Sequence, residues 1–230
     1  VPTGFKMLRQ QSMPETARGV TGLAWVKNRD ATNNNAFIDS SRGQSKNIFP
    51  DSTGAEQDYD KRGLSKFLKG GFSVGEYNYV NGADNKLVSW NWVANGGTTS
   101  SNSDGSISSV VQANQTAGFS IVQFTPSSSS GTVGHGLSQA PEWIIMKDTS
   151  RSVLWLIYHK DVGADKYLQF TSASAVSNST VFSTSPTSTV FDPGTGYTSA
   201  SSYGATVAYC WHGVDGFSKF GSYVGNSSSD

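Results

Sequence analysis

Residues 23–30 read LAWVKNRD, and a related stretch, WIIMKDTS, occupies residues 143–150. A second pair of similar segments is SWNWV at 89–93 and AYCWH at 208–212. Lys27 and Lys147 are 120 positions apart, and Trp92 and Trp211 are 119 positions apart. Because the two separations agree, a unit of about that length is repeated with almost no net insertion. The sequence therefore predicts tandem architecture, not one enzyme domain.

Short apolar runs bounded by Gly, Asn, Ser and Pro recur along both copies, and helical periodicity is nearly absent. We therefore predict an all-β chain of two tandem small antiparallel β-sandwiches, of jelly-roll or concanavalin-like type. Predicted strands of the first copy are Gly22–Asn28, Ala36–Asp39, Lys46–Phe49, Gly71–Val74 and Lys86–Val93. Those of the second are Gly118–Phe124, Glu142–Lys147, Val153–His159, Lys166–Phe170, Thr180–Phe182, Ser188–Phe191 and Thr206–His212.

Residues 98–105 contain only Ser, Thr, Asn, Asp and Gly, so this segment cannot bury itself and is predicted to be a linker. The first module then spans 1–97 and the second 106–215. Residues 106–113 and 118–124 are expected to form a hairpin around 114–117. The triplet Gly-Phe-Ser at 118–120 recurs at 216–218, so 216–230 is predicted to begin a further module or to form a C-terminal strand.

Composition excludes several classes of protein. Lys and Arg number 17, Asp and Glu also number 17, and charged residues are only 15% of the chain, against about a quarter in typical proteins. This balance provides no basic surface for nucleic acid or membrane, and neither is predicted as a partner. A single cysteine, Cys210, rules out an internal disulfide framework and a Cys-rich metal site. No apolar run reaches the roughly 20 residues that a membrane helix needs.

Aromatic residues in strands offer two interpretations. Trp90 and Trp92 lie on one face of a strand and could stack on a sugar. Tyr209 and Trp211 repeat the pair, which favours a core role in both copies. Trp143 is offset from Trp25 in the repeat, so alternation predicts that these two side chains lie on opposite sheet faces and that one of them is exposed.

No catalytic motif is present, so the chain is predicted not to be an enzyme and to need no cofactor. The three histidines, His135, His159 and His212, have no metal-ligand spacing. His135 lies between two glycines, which suggests a tight turn that exposes the imidazole or uses it to cap neighbouring backbone. The oxygen-rich loops 30–35 and 58–60 could hold Ca²⁺, but the first lacks a carboxylate-rich counterpart in the second copy. Solvated loops are therefore the preferred interpretation, and no metal is predicted.

Several motifs together resemble the repeated β-rich modules of large bacteriophage virion proteins, of the kind abundant in marine and cyanobacterial phages. They occur at residues 25–29, 37–43, 71–75, 89–92, 118–122, 134–137 and 216–223. In such proteins these modules often follow a concanavalin-like (laminin-G-like) domain whose end is similar to residues 3–8. The resemblance therefore implies that residues 1–20 are alternatively the end of an upstream domain.

The resemblance implies a virion surface protein: a tail fibre, spike or head-decoration component that contacts other virion proteins and itself, as a trimer in fibres. Our first hypothesis is a non-enzymatic structural protein that mediates assembly or host-surface contact. The alternative is a lectin-like module that binds host surface glycans, and a glycan depolymerase ranks last because acids occur only in loops. Features found in one copy only are where a specific contact would lie, and these give Trp25, Asp58, Tyr59 and His135 as candidate binding residues.

Overall fold

The computed structural model describes residues 22–68, 71–94, 99–126, 130–198 and 203–227, and its regular structure is almost entirely β-strand, as predicted. The first copy contains β1 (Gly22–Asn28), β2 (Ala36–Asp39), β3 (Lys46–Ile48), β4 (Gln57–Asp58), β5 (Leu64–Leu68), β6 (Gly71–Val74), α1 (Asn78–Asn81) and β7 (Leu87–Val93). The remainder contains β8 (Ser100–Asn102), β9 (Ser109–Asn114), β10 (Phe119–Phe124), β11 (Val133–Gly134), β12 (Trp143–Asp148), β13 (Leu156–His159), β14 (Lys166–Tyr167), β15 (Val176–Ser177), β16 (Val190–Phe191), α2 (Thr195–Thr198) and β17 (Thr206–Trp211). No helix in these ranges is long and apolar enough to cross a membrane.

Two antiparallel sheets organise the molecule. The first has the order β4-β3-β2-β1-β7, and the second has the order β13-β12-β17-β10-β9-β8. In each copy the strand that carries the repeated lysine lies between its successor and the last strand of the copy. Leu23 of β1 pairs with Trp92, and Trp143 of β12 pairs with Trp211. The sequence repeat is therefore also a repeat of strand order and register.

The two sheets pack face to face over a common core. Leu23, Phe37 and Ile48 of the first sheet share one apolar cluster with Ile121 and Tyr209 of the second, all nearly inaccessible to solvent. Further apolar clusters cover the outer face of each sheet. The β-sandwich class is thus confirmed, whereas the tandem arrangement of two self-contained sandwiches is not, because each copy contributes one sheet to the shared core.

A buried polar group joins the two copies within this core. Arg42 contacts the carboxylate of Asp39, donates to Glu56 at 2.8 Å and donates to the hydroxyl of Tyr209 at 3.1 Å. The Tyr209 hydroxyl in turn donates to Asp39 at 2.7 Å. Burial disfavours the guanidinium charge, but Asp39, Tyr209 and Glu56 outweigh it and raise the pKa of Arg42. The network fixes how the two sheets sit on each other.

Several segments differ from the sequence prediction, including β5, where no strand was predicted. Ser100–Asn102, inside the predicted linker 98–105, forms β8 and pairs with β9 at the edge of the second sheet. Residues 180–182, predicted as a strand, form none, because Asn178 caps the backbone and side chain of Thr180 and Phe182 has a φ of +48°. The hairpin predicted around residues 114–117 is present as β9 and β10, while residues 1–20, predicted alternatively to end an upstream domain, lie outside the described residues.

Candidate interaction surface

The most exposed large aromatic side chain on the sheets belongs to β7. Trp90 is 46% exposed, and its ring lies 5.2 Å from that of Trp25 on the neighbouring strand. At the equivalent position of the second copy, Tyr209 is 0% exposed and forms part of the shared core. The prediction that Trp90 is core is therefore wrong. Trp92 packs against the shared core, as predicted.

The different environments follow from the neighbours of the two strands. β17 lies between β12 and β10, so its side chains are covered on both sides, and all six of its residues are buried. β7 pairs with β1 only, and no other described strand lies along its second edge. An edge strand presents unpaired N–H and C=O groups on that side. Together, Trp25, Trp90 and this edge form what we call the β7 surface.

Polar groups border the β7 surface. The indole N–H of Trp25 donates to the side-chain oxygen of Asn35 at 2.7 Å, and the backbone N–H of Asn35 donates to Asp51 at 3.2 Å. On the opposite face of β7, the exposed Asn91 accepts from Ser89 at 3.1 Å. The Trp25 and Trp90 rings provide apolar area, and the neighbouring Asn35 side chain provides an amide. Such a surface is suited to contact a partner that has both apolar and hydrogen-bonding groups.

Trp25 is half-buried, and the predicted opposition between Trp25 and Trp143 is wrong. Leu23 and Trp143 are the equivalent positions, so Trp25 is two residues away and lies on the same sheet face. Both tryptophans pack against the shared core. Trp143 stacks on Trp211 with ring centroids 4.6 Å apart, whereas Trp25 contacts the exposed Trp90.

Asp58 and Tyr59 lie at the opposite edge of the first sheet, on and after β4. Asp58 accepts from the backbone N–H of Asp60 at 3.0 Å and pairs with Lys46 at 2.9 Å, and these groups lower the pKa of Asp58 to about 2. Tyr59 packs 4.9 Å from Tyr77, in an aromatic group on the outer face of the sheet. The carboxylate is engaged by its own neighbours, and the ring completes an outer core.

His135 is fully buried, so the predicted exposed imidazole is wrong and the backbone-capping alternative is what forms. Its Nδ1 accepts from the backbone N–H of Leu137 at 3.1 Å, and its Nε2 lies 3.2 Å from the carbonyl of Thr187. Burial lowers the pKa of His135 to about 4, because the charged imidazolium is poorly solvated there. The ring ties a turn to a neighbouring loop and is inaccessible to a ligand.

The repeated lysines, Lys27 and Lys147, each bind carbonyl oxygens of the loop that follows their strand. Lys27 donates to the carbonyls of Ala31 and Asn33, at 3.2 and 2.8 Å. Lys147 donates in the same way to those of Asp148 and Arg151, at 2.7 and 2.9 Å. The ammonium of Lys27 thus binds the carbonyl oxygens of loop 30–35 that could otherwise coordinate Ca²⁺. Among the described residues, no cluster of three or more His, Cys, Asp or Glu side chains could hold a metal ion.

An open groove lies at one end of the second sheet. Its described lining is of hydroxyl, amide and apolar groups, including Ser101, Val110, Gln123 and Thr149, and carries no ionisable side chain. Hydrolysis of a glycosidic bond requires a pair of carboxyl groups across a cleft. This groove therefore provides no support for a depolymerase.

The four candidate residues thus do not form one site. Asp58 and Tyr59 are neighbours at the β4 edge, Trp25 borders the opposite edge, and His135 lies beside the core of the second sheet. The residue that sequence reasoning missed is Trp90. Two observations indicate its exposure. The equivalent residue in the second copy is Tyr and not Trp, and β10, which pairs with β17, has no described counterpart beside β7.

Comparison with known proteins adds one match. A family model described as "Domain of unknown function (DUF7483)" matches residues 11–230, a range that includes both copies and the segment between them. No curated protein and no solved structure matches the chain.

Proposed function

The chain belongs to the DUF7483 family, and we propose that it is a non-enzymatic structural module of a bacteriophage virion, in a tail fibre, a spike or a head decoration. The proposal takes the virion role from the resemblance of the repeated motifs. It takes the assembly role from the geometry of the two copies. A virion surface protein of this kind would contact other virion proteins and further copies of itself.

The observation that carries the assembly role is the β7 surface. An exposed strand edge with a 46% exposed tryptophan is costly for a solitary molecule, since it promotes pairing with other chains. The same strand position in the second copy is fully covered. An edge left open in one copy and closed in the other is consistent with a contact supplied from outside the described residues.

Labelling of purified particles tests the virion role. An antibody raised against the 230-residue chain is expected to decorate particles of the phage that encodes it at a fixed position in electron micrographs. Antibody preincubated with the chain serves as the control and should give no label. Absence of the chain from intact, purified particles would exclude the role.

Glycan binding is the second candidate, favoured by the Trp25–Trp90 pair and the neighbouring Asn35 amide. Aromatic faces stack on the apolar faces of sugar rings, and Asn35 accepts from the Trp25 indole beside this pair. Titration with host lipopolysaccharide or capsule fragments should then change tryptophan fluorescence, and Trp90→Ala should abolish the change. Leu154→Ala, which removes another exposed apolar side chain, is the matched control. No signal from any host glycan would remove this candidate.

A further inference from the structure

No described strand lies along the second edge of β7, and the second copy shows which kind of strand fits there. There, β10 pairs with β17 so that Phe119 lies opposite Trp211 and Ile121 lies opposite Tyr209. The equivalent residues of β7 are Trp92 and Trp90. A strand like β10 therefore has a defined place along the free edge of β7.

A segment like β10 lies in the C-terminal part of the chain. Residues 216–220, GFSKF, match residues 118–122, GFSIV, at the first three positions. Gly118 and Gly216 both have positive φ, +65° and +73°, so the two segments leave their turns in the same way. After Gly216, Ser218 forms an antiparallel bridge with Val214, and the Phe220 ring packs against Trp143.

The side chains of this C-terminal segment are unusually exposed. Phe217 is 71% exposed, and Tyr223 and Val224 are more than 90% exposed. In β10, by contrast, Phe119 is 1% exposed and packs against the Trp92 and Trp211 rings. Only Phe220 packs on the shared core, against Trp143, so the other apolar side chains of the segment lack the cover that those of β10 have.

We propose that residues 216–223 of a second copy of this chain pair with the free edge of β7, antiparallel and in the register of β10 on β17. This inference rests on the assembly role proposed above and names its partner. Phe217 then lies opposite Trp92, Lys219 opposite Trp90 and Phe220 opposite Ser89. Backbone hydrogen bonds supply affinity, and alternate side chains supply specificity, as in other cases of strand addition.

The first position at which the two segments differ suits this placement. Ile121 is buried opposite the buried Tyr209, whereas Lys219 takes its position opposite the exposed Trp90. A lysine over an exposed indole keeps its ammonium hydrated and gains a cation–π contact. Phe220 is equivalent to Val122 and would lie on the other sheet face, beside the outer core that contains Leu87. To do so it leaves its present contact with Trp143, where the ring centroids are 5.8 Å apart.

The contact joins two different surfaces, so each copy carries one donor segment and one acceptor edge. A heterologous contact of this kind closes into a ring or continues as a filament. The first test is therefore light scattering of the full 230-residue chain over a range of concentrations. We expect the mass per particle to rise with concentration, and Phe217→Ser to raise the concentration required by at least about tenfold.

A synthetic peptide of residues 214–226 gives the second readout. It should dissociate the assemblies and slow hydrogen exchange of the β7 amides, whereas a peptide carrying Phe217→Ser and Lys219→Glu should do neither. Leu154→Ser in the full chain removes an exposed apolar residue elsewhere and should leave assembly unchanged. Trp90→Ala should weaken peptide binding without unfolding the chain, because Trp90 is already half exposed.

The proposal is overturned if the chain stays monomeric and the peptide fails to bind while the β7 amides are protected at every concentration. That result would assign the edge to another part of the same chain, with Phe5→Ser testing the GFKML segment at residues 4–8. Particle labelling is independent of this outcome. If particles are labelled but the peptide does not bind, the virion role stands and only the proposed pairing of residues 216–223 with β7 is excluded.

Discussion

The two copies of the repeat have the same strand order but opposite roles in the molecule. In the second copy the last strand, β17, is central, and Tyr209 bonds Asp39 and Arg42 of the first copy. In the first copy the last strand, β7, is an edge, and Trp90 faces solvent. Duplication has thus produced one copy that completes the core and one that keeps an open strand. The lesson is that equivalent residues need equivalent neighbours before they share a function.

Alanine substitutions at the equivalent residues Tyr209 and Trp90 should show the largest difference. Tyr209→Ala should reduce the free energy of unfolding by about 4 kcal/mol, since it opens a cavity and removes a partner of buried Asp39 and Arg42. Trp90→Ala should cost about 1 kcal/mol or less, because the ring is only partly covered. Urea unfolding monitored by circular dichroism measures both changes. Equal losses would mean that β7 is as buried as β17.

Acid should weaken the fold through His135. The folded-state pKa is lowered to about 4, below the unfolded value of about 6.5, so the unfolded state binds more protons between these values. Stability is therefore fully present above pH 6.5 and is lost as the pH falls toward 4, by up to roughly 3 kcal/mol. His135→Asn should be less stable at pH 7 but should flatten the stability profile over this window. An unchanged slope in the variant would assign the acid sensitivity to other groups.

The glycines that begin the two Gly-Phe-Ser segments offer a matched pair. A Cβ at Gly118 would lie 2.7 Å from the carbonyl oxygen of His212, whereas one at Gly216 would meet nothing within 4 Å. Both have positive φ, which costs an L-residue about 1 kcal/mol. Gly118→Ala should therefore lower the free energy of unfolding by about 2 kcal/mol or more, and Gly216→Ala by about 1 kcal/mol at most. Thermal unfolding of the two variants, measured side by side, checks the ratio.

The sequence predicted the repeat, the all-β class and the bounds of β1, β2 and β6, because alternation and turn residues are local signals. It did not predict that the two sheets share a core, since face-to-face packing depends on contacts between positions such as Phe37 and Tyr209, far apart in the chain. The candidate site shows the same limit. Trp90 was assigned to the core from its counterpart, and only the position of β7 at a sheet edge reveals its exposure.

The smallest expected difference concerns the repeated lysines. Lys147 is fully buried and Lys27 half-buried, while each donates to two loop carbonyls. Removing the ammonium leaves those carbonyls without a donor, and this cost is higher where water cannot replace it. Lys147→Met should therefore destabilise by about 1 to 2 kcal/mol and Lys27→Met by less than about 1 kcal/mol. Burial lowers the pKa of Lys147 to about 8, so the neutral amine, which still donates to both carbonyls, is favoured over the ammonium. Stability from this residue therefore rises between pH 8 and 10.5. That rise should be absent in Lys147→Met and retained in Lys27→Met, and urea unfolding at pH 8, 9 and 10 would reveal a failure of either expectation.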